Sequence, residues 1–185
     1  MYYLNAKVIE VYNNEVLVEV NNIGYKGIIV SKNIKDIKVG KNQKIYFYNY
    51  RNEYTDEYLF FINEQILNLA KTLLQIKFFG IKTLLALFYS LDYEELIEAV
   101  KSKHYDLIKE KTSIKESLVK EIFVIVGSKV LNIKYNKKQM EVINSLHKLG
   151  YKFSSIYQAI SQVDDKLDEE LLFKNTLVKL NEIKC

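Results

Sequence analysis

Proline and tryptophan are absent from this chain of 185 residues, glycine occurs 6 times, and cysteine and arginine once each, as Cys185 and Arg51. So little glycine excludes a collagen-like chain, and hydrophobic residues at 49% exclude a disordered one. A single cysteine excludes a disulfide framework and points to a reducing, cytoplasmic setting. Metal-ligand spacings and a Gly-x-x-x-x-Gly-Lys-Ser/Thr phosphate loop are missing as well. His104 and His147 stand far apart and are read as surface helix residues. No catalytic residue, metal or cofactor is therefore expected. The N-terminal residues lack the apolar run of a secretory signal. The stretch 73–91 is the most membrane-like, but it holds Lys77 and Lys82. Each lysine would cost about 2.5–3.5 kcal/mol at a bilayer centre, so the stretch reads as two helices around a turn.

What is present is mostly lysine, carboxylate and aliphatic side chains. Lys and Arg total 27 against 23 Asp and Glu, a net charge of +4 that permits a nucleic-acid partner without arguing for one. The signs are segregated, however. From Lys26 to Arg51 seven basic residues face only Asp36, a net of +6. Residues 52–62 then hold Glu53, Asp56 and Glu57 with no base, a net of −3. A basic stretch leads directly into an acidic tip.

Periodicity divides the chain. Val16, Val18 and Val20 alternate in 15–20, and further strand patterns fall at 23–30, 44–50 and 58–62, with Asn and Gly turns between them. Residues 1–62 therefore read as five or six short strands in a small closed barrel. Tyr46, Tyr48 and Tyr50 share one strand face and are placed in the barrel core, with a base-stacking surface as the other reading. From Asn63 the spacing becomes helical: Ile66, Leu69, Ala70, Leu73 and Leu74 make one stripe, and short helices continue to Leu131. A polar segment, 132–138, precedes a three-helix unit over 139–185. In that unit Gly150 is a helix C-cap, and Ile156, Ala159, Ile160, Val163 and then Phe173, Leu177, Leu180 form apolar stripes. The class is α+β.

Two turns between helices carry candidate chemistry. Lys77-Phe78-Phe79-Gly80-Ile81-Lys82-Thr83 resembles a helix-hairpin-helix element, usually Gly-apolar-Gly-x-Lys, with Phe78 at the first glycine position. In such a hairpin glycine lets the backbone approach a phosphate, and free N–H groups at the next helix start bind it. The other reading is a plain turn between two core helices. A second copy falls at Lys111-Thr112-Ser113-Ile114-Lys115-Glu116-Ser117, which keeps Lys115 but no glycine. Ser113 and Glu116 have capping-box spacing, which would occupy the helix donors internally. That hairpin is expected to bind through Lys115 and Lys120 alone.

The order of these parts, with Val18-Glu19-Val20-x-x-Ile23-Gly24-Tyr25, Leu91-Asp92-Tyr93-Glu94-Glu95-Leu96 and Leu149-Gly150-Tyr151-Lys152, resembles the RuvA family of Holliday junction branch-migration proteins. The resemblance implies an OB-fold barrel over 1–62 that tetramerises, a double helix-hairpin-helix domain over 63–131, a linker over 132–138 and a UBA-like three-helix domain over 139–185. It implies a non-catalytic subunit that binds four-way junction DNA by shape and recruits the hexameric RuvB ATPase, with RuvC resolvase a further possible partner, as a homotetramer or octamer and without membrane contact. Residue by residue, Gly80, Ile81, Lys82 and Lys77 would hold one phosphate site, and Lys115 and Lys120 the remnant of the second. Glu53, Asp56 and Glu57 would form an acidic pin that keeps strands apart at the crossover; a solvated hairpin tip is the other reading. Leu149, Tyr151, Ile156 and Ile160 would contact RuvB, unless they are the core of their own bundle. A general nucleic-acid binder and a scaffold without DNA binding remain the rival functions.

Overall fold

The computed structural model describes residues 3–183; Met1, Tyr2, Lys184 and the lone thiol Cys185 lie outside them. Strands β1 (Tyr3–Tyr12), β2 (Glu15–Val20), β3 (Ile23–Ile29), β4 (Asn42–Arg51) and β5 (Asp56–Phe61) close a barrel in the order β1-β2-β3-β5-β4. Only the β3–β5 pair is parallel, an arrangement consistent with an OB-fold. The β2–β3 turn has both Asn21 and Asn22 at positive φ, the twist a two-residue hairpin requires. Strand β1 is poorly delimited by alternation because its register shifts between Val8 and Glu10, a bulge that breaks the period of two.

Ala6, Val8, Val16, Val18, Ile29, Ile37, Ile45 and Phe60 fill the barrel. The tyrosines of β4 do not. Ile45 is buried and Phe47 packs on the core, so period two turns Tyr46, Tyr48 and Tyr50 to the outer face. Aliphatic Ile45 loses nothing inside, whereas each tyrosine hydroxyl would need a partner there. Tyr46 instead meets Tyr3 edge to face at 6.2 Å, with Lys44 Nζ 4.1 Å from the Tyr3 ring, and Lys71 lies over Tyr48 at 5.6 Å. Gly27 is required where β3 meets β5: a Cβ there would stand 2.3 Å from the Tyr58 carbonyl oxygen.

Eight helices follow among the described residues: α1 (Glu64–Leu73), α2 (Ile81–Ser90), α3 (Tyr93–Lys101), α4 (Tyr105–Lys111), α5 (Glu116–Lys129), α6 (Lys137–Lys148), α7 (Phe153–Ile160) and α8 (Glu169–Ile183). The stretch 73–91 is thus a helix end, a turn and a second helix. No described helix is long and apolar enough to cross a membrane. The chain falls into two compact units: residues up to Leu96 with Lys111–Ile114, and Ile97–Glu110 with the chain from Lys115 onward.

The second unit is organised by aromatic rings. Tyr105 of α4 lies 4.9 Å from Phe153 of α7, Phe123 of α5 lies 4.7 Å from Tyr157, and Tyr135 lies 5.3 Å from Tyr157. The segment before α6 is held too, with the Ile133 amide donating to the Gly127 carbonyl at 2.8 Å. Gly150 closes α6 at φ +91, as expected of a C-cap. In α8 the buried line is Leu172, Thr176 and Leu180 rather than Phe173, Leu177 and Leu180; Phe173 and Leu177 are half-buried. A threonine can hold that position because its hydroxyl donates to the Leu172 carbonyl at 2.6 Å.

Candidate nucleic-acid interface

The first hairpin is the turn between α1 and α2. Helix α1 is capped by Asn63, whose side chain accepts from the Ile66 amide at 2.8 Å, and it buries Ile66, Leu69, Ala70 and Leu73. The chain then tightens, with the Ile76 amide donating to the Leu73 carbonyl and the Phe79 amide to the Ile76 carbonyl. Phe79 turns inward and is buried, while Phe78 turns outward, 83% exposed. Phe78 adopts φ +67, the left-handed backbone that glycine favours. The glycine position has kept its conformation and lost its residue.

Gly80 is the N-cap of α2 and has no side chain to offer. The Thr83 and Leu84 amides donate to its carbonyl, which leaves the Ile81 and Lys82 amides without an acceptor inside the helix. Lys77 and Lys82 are exposed at the same turn. Free amides, a helix dipole and two ammonium groups, the elements from which anion sites are built, meet at this turn.

The second hairpin, between α4 and α5, is different. The expected capping box is not formed: the helix starts one residue past Lys115, so Ser113 lies outside the N-cap position and makes no cap bond. Capping boxes occur instead at Asp92 with Glu95, and at Asn136 with Gln139. Glu116 is the first residue of α5, and its carboxylate accepts from Lys109 Nζ at 2.8 Å. That ion pair holds the Glu116 carboxyl below its ordinary range and keeps an anion where a phosphate would bind. Thr112 and Ile114, at the glycine positions, are buried.

The lysines of this second turn are also engaged. Glu95 accepts from Lys32 Nζ at 2.7 Å, Lys111 Nζ at 3.0 Å and the Asp92 amide at 2.9 Å, which together lower its carboxyl pKa to about 2. Lys120 donates to the Asn144 side-chain oxygen and lies 5.0 Å over the Phe153 ring, and burial lowers its pKa. It is half-buried, with its ammonium engaged by Asn144 and the Phe153 ring. Lys115 stays exposed. The Lys111–Glu95 link was not foreseen; the Asp92-x-x-Glu95 spacing was its visible half.

The acidic loop is a tight β-hairpin. The Asn52 amide donates to the Thr55 carbonyl at 2.8 Å, and the Tyr54 amide to the Asn52 side chain at 2.9 Å. Glu53, Asp56 and Glu57 are all exposed, and Tyr54 at the tip is 92% exposed. Asp56 lies 3.6 Å from Arg51 across the strand pair, which partly neutralises it.

Of the residues expected to meet a protein partner, Ile156 and Ile160 are fully buried within their own bundle, Tyr151 is half-buried and Leu149 is 65% exposed. The histidines also differ from expectation. His104 precedes α4 rather than lying in a helix, and His147 is half-buried, stacked 3.7 Å from Phe153 and 3.6 Å from Glu116.

No protein-family model matches the chain. Curated proteins do. The chain is 30% identical over 181 residues to the Holliday junction branch migration complex subunit RuvA of Mycoplasma capricolum subsp. capricolum, covering 98% of this chain and 97% of that one. The protein of the same name from Mycoplasma mycoides subsp. mycoides is 30% identical over 179 residues, with 97% and 96% covered. The one from Fusobacterium nucleatum subsp. nucleatum is 22% identical over 156 residues, 80% of each chain.

Proposed function

The chain belongs to the RuvA family, and we propose that it is the non-catalytic subunit that binds Holliday junctions and recruits the hexameric RuvB ATPase for branch migration in recombination and repair. One observation carries the reading: the first hairpin sets uncapped α2 amides at Ile81 and Lys82 beside exposed Lys77 and Lys82 and half-buried Gly80. Such a site grips phosphate without reading bases, as shape recognition of a junction requires. Lys115 is the cation left to the second hairpin.

The remaining parts take their roles from this reading. Barrel 1–62 assembles the subunits into a tetramer or octamer. Glu53, Asp56 and Glu57 project as an acidic pin that repels phosphates at the crossover. Helical domain 63–131 holds the arms, and the bundle 139–185 after linker 132–138 meets RuvB through exposed Leu149 and half-buried Tyr151, with Ile156 and Ile160 supporting that surface from within. RuvC resolvase acts on the same assembly, in the cytoplasm.

Electrophoretic mobility shift at fixed salt tests the proposal with a four-way junction, a linear duplex and a single strand. Clear preference for the junction is expected. Equal affinity for all three would make this a general nucleic-acid binder, and no binding would leave a scaffold.

A further inference from the structure

The substitution at Phe78 does more than damage a glycine motif. The residue holds a left-handed backbone, φ +67, that an L side chain rarely adopts. Its neighbour Phe79 is buried, so the fold has an apolar position for one ring at this turn and sends the other into solvent, 83% exposed. A large exposed aromatic on a strained tip lowers stability unless something covers it. Its surroundings say what kind of partner that is. Lys77 Nζ stands 5.0 Å from the Phe78 ring centroid, Lys82 is exposed, and the uncapped amides of α2 begin three residues further on. An apolar protein partner would have to desolvate two ammonium groups to reach the ring. A nucleotide brings an anion for the amides and lysines and a π face for the ring.

We propose that the first hairpin is a two-part nucleotide site, in which the α2 amides and lysines hold a phosphate while Phe78 stacks on an adjacent unstacked nucleobase. This rests on the DNA-binding reading above and adds a preference to it: the hairpin favours DNA that exposes a base over closed duplex. Lys77, already over the ring, stays there as the cationic side of the stack.

The test uses the full chain and three DNAs: closed duplex, the same duplex with a short single-stranded gap, and a four-way junction. Phe78→Gly suits the backbone at this position, so folding is retained and can be checked by thermal unfolding. Stacking on one base corresponds to about a tenfold fall in the ratio of gapped to closed affinity in Phe78→Gly. Phe78→Leu, apolar but without a π face, should fall with it. The chain has no tryptophan, so Phe78→Trp adds a single indole whose fluorescence should be quenched by gapped DNA and far less by closed duplex. An unchanged ratio in Phe78→Gly, or equal quenching by both DNAs, overturns the stacking role alone. Wild-type protein that binds none of the three DNAs overturns the DNA-binding reading and this inference with it.

Discussion

Both hairpins are helix–turn–helix segments with lysines at the turn, yet the second ties Lys109 and Lys111 to carboxylates and keeps only Lys115 exposed and outside those ion pairs. Around Gly80 the cations are exposed, the amides uncapped and the backbone left-handed at Phe78. Around Lys115 a carboxylate occupies the helix start, Lys109 is paired with it, and Lys111 is bound to Glu95. The difference teaches that losing glycines has two outcomes. At Phe78 the backbone kept its shape and the side chain moved outward. At Thr112 and Ile114 the side chains moved inward, and the turn became part of the packing. One turn presents its side chain to solvent; the other buries its side chains.

If that contrast is right, the largest effect comes from the ring cluster that joins α4, α5 and α7. Phe153→Ala removes contacts to Tyr105 and His147 and should destabilise the chain by about 3–4 kcal/mol in chemical denaturation. A loss under about 1 kcal/mol would show that these rings do not hold the second hairpin's helices.

Lys82→Ala against Lys120→Ala comes next. Lys82→Ala should weaken junction binding about tenfold and make its salt dependence shallower by about one phosphate contact. Lys120→Ala should leave the salt slope alone, since that ammonium is turned toward Asn144 and Phe153. Equal slopes for the two variants would erase the contrast.

The smallest effect belongs to Glu95. Its carboxyl titrates at about 2 in the folded chain against an ordinary 4.5, so it stabilises the fold above pH 4.5 and that contribution fades as pH falls toward 2. Glu95→Gln should cost about 1 kcal/mol at neutral pH and flatten this acid limb of the stability profile. An identical limb in the variant would place the acid sensitivity elsewhere.

Much of this was legible in the sequence. The alternation of Val16, Val18 and Val20 and the spacing of Ile66, Leu69, Ala70 and Leu73 gave the barrel and α1, because burial enforces those periods. The β4 tyrosines misled because a shared face does not say whether it is the inner one; Ile45 and Phe47 decided that. Ser113 misled because a capping box depends on where the helix starts, and that is set by packing. Lys111 could not be paired by inspection, since its partner Glu95 lies 16 residues earlier. The buried state of Ile156 and Ile160 was one of two open readings, and only packing separated it from a partner surface.

The left-handed corners have a consequence of their own. Asn13, Asn21, Asn22, Lys103 and Asn132, together with Phe78, hold φ between 51 and 67 without being glycine. Glycine would meet no left-handed penalty at any of these corners. At Phe78 the same change would also remove the exposed ring. If the ring stacks as proposed, Phe78 is the corner where relief of backbone strain and contact with a ligand pull in opposite directions.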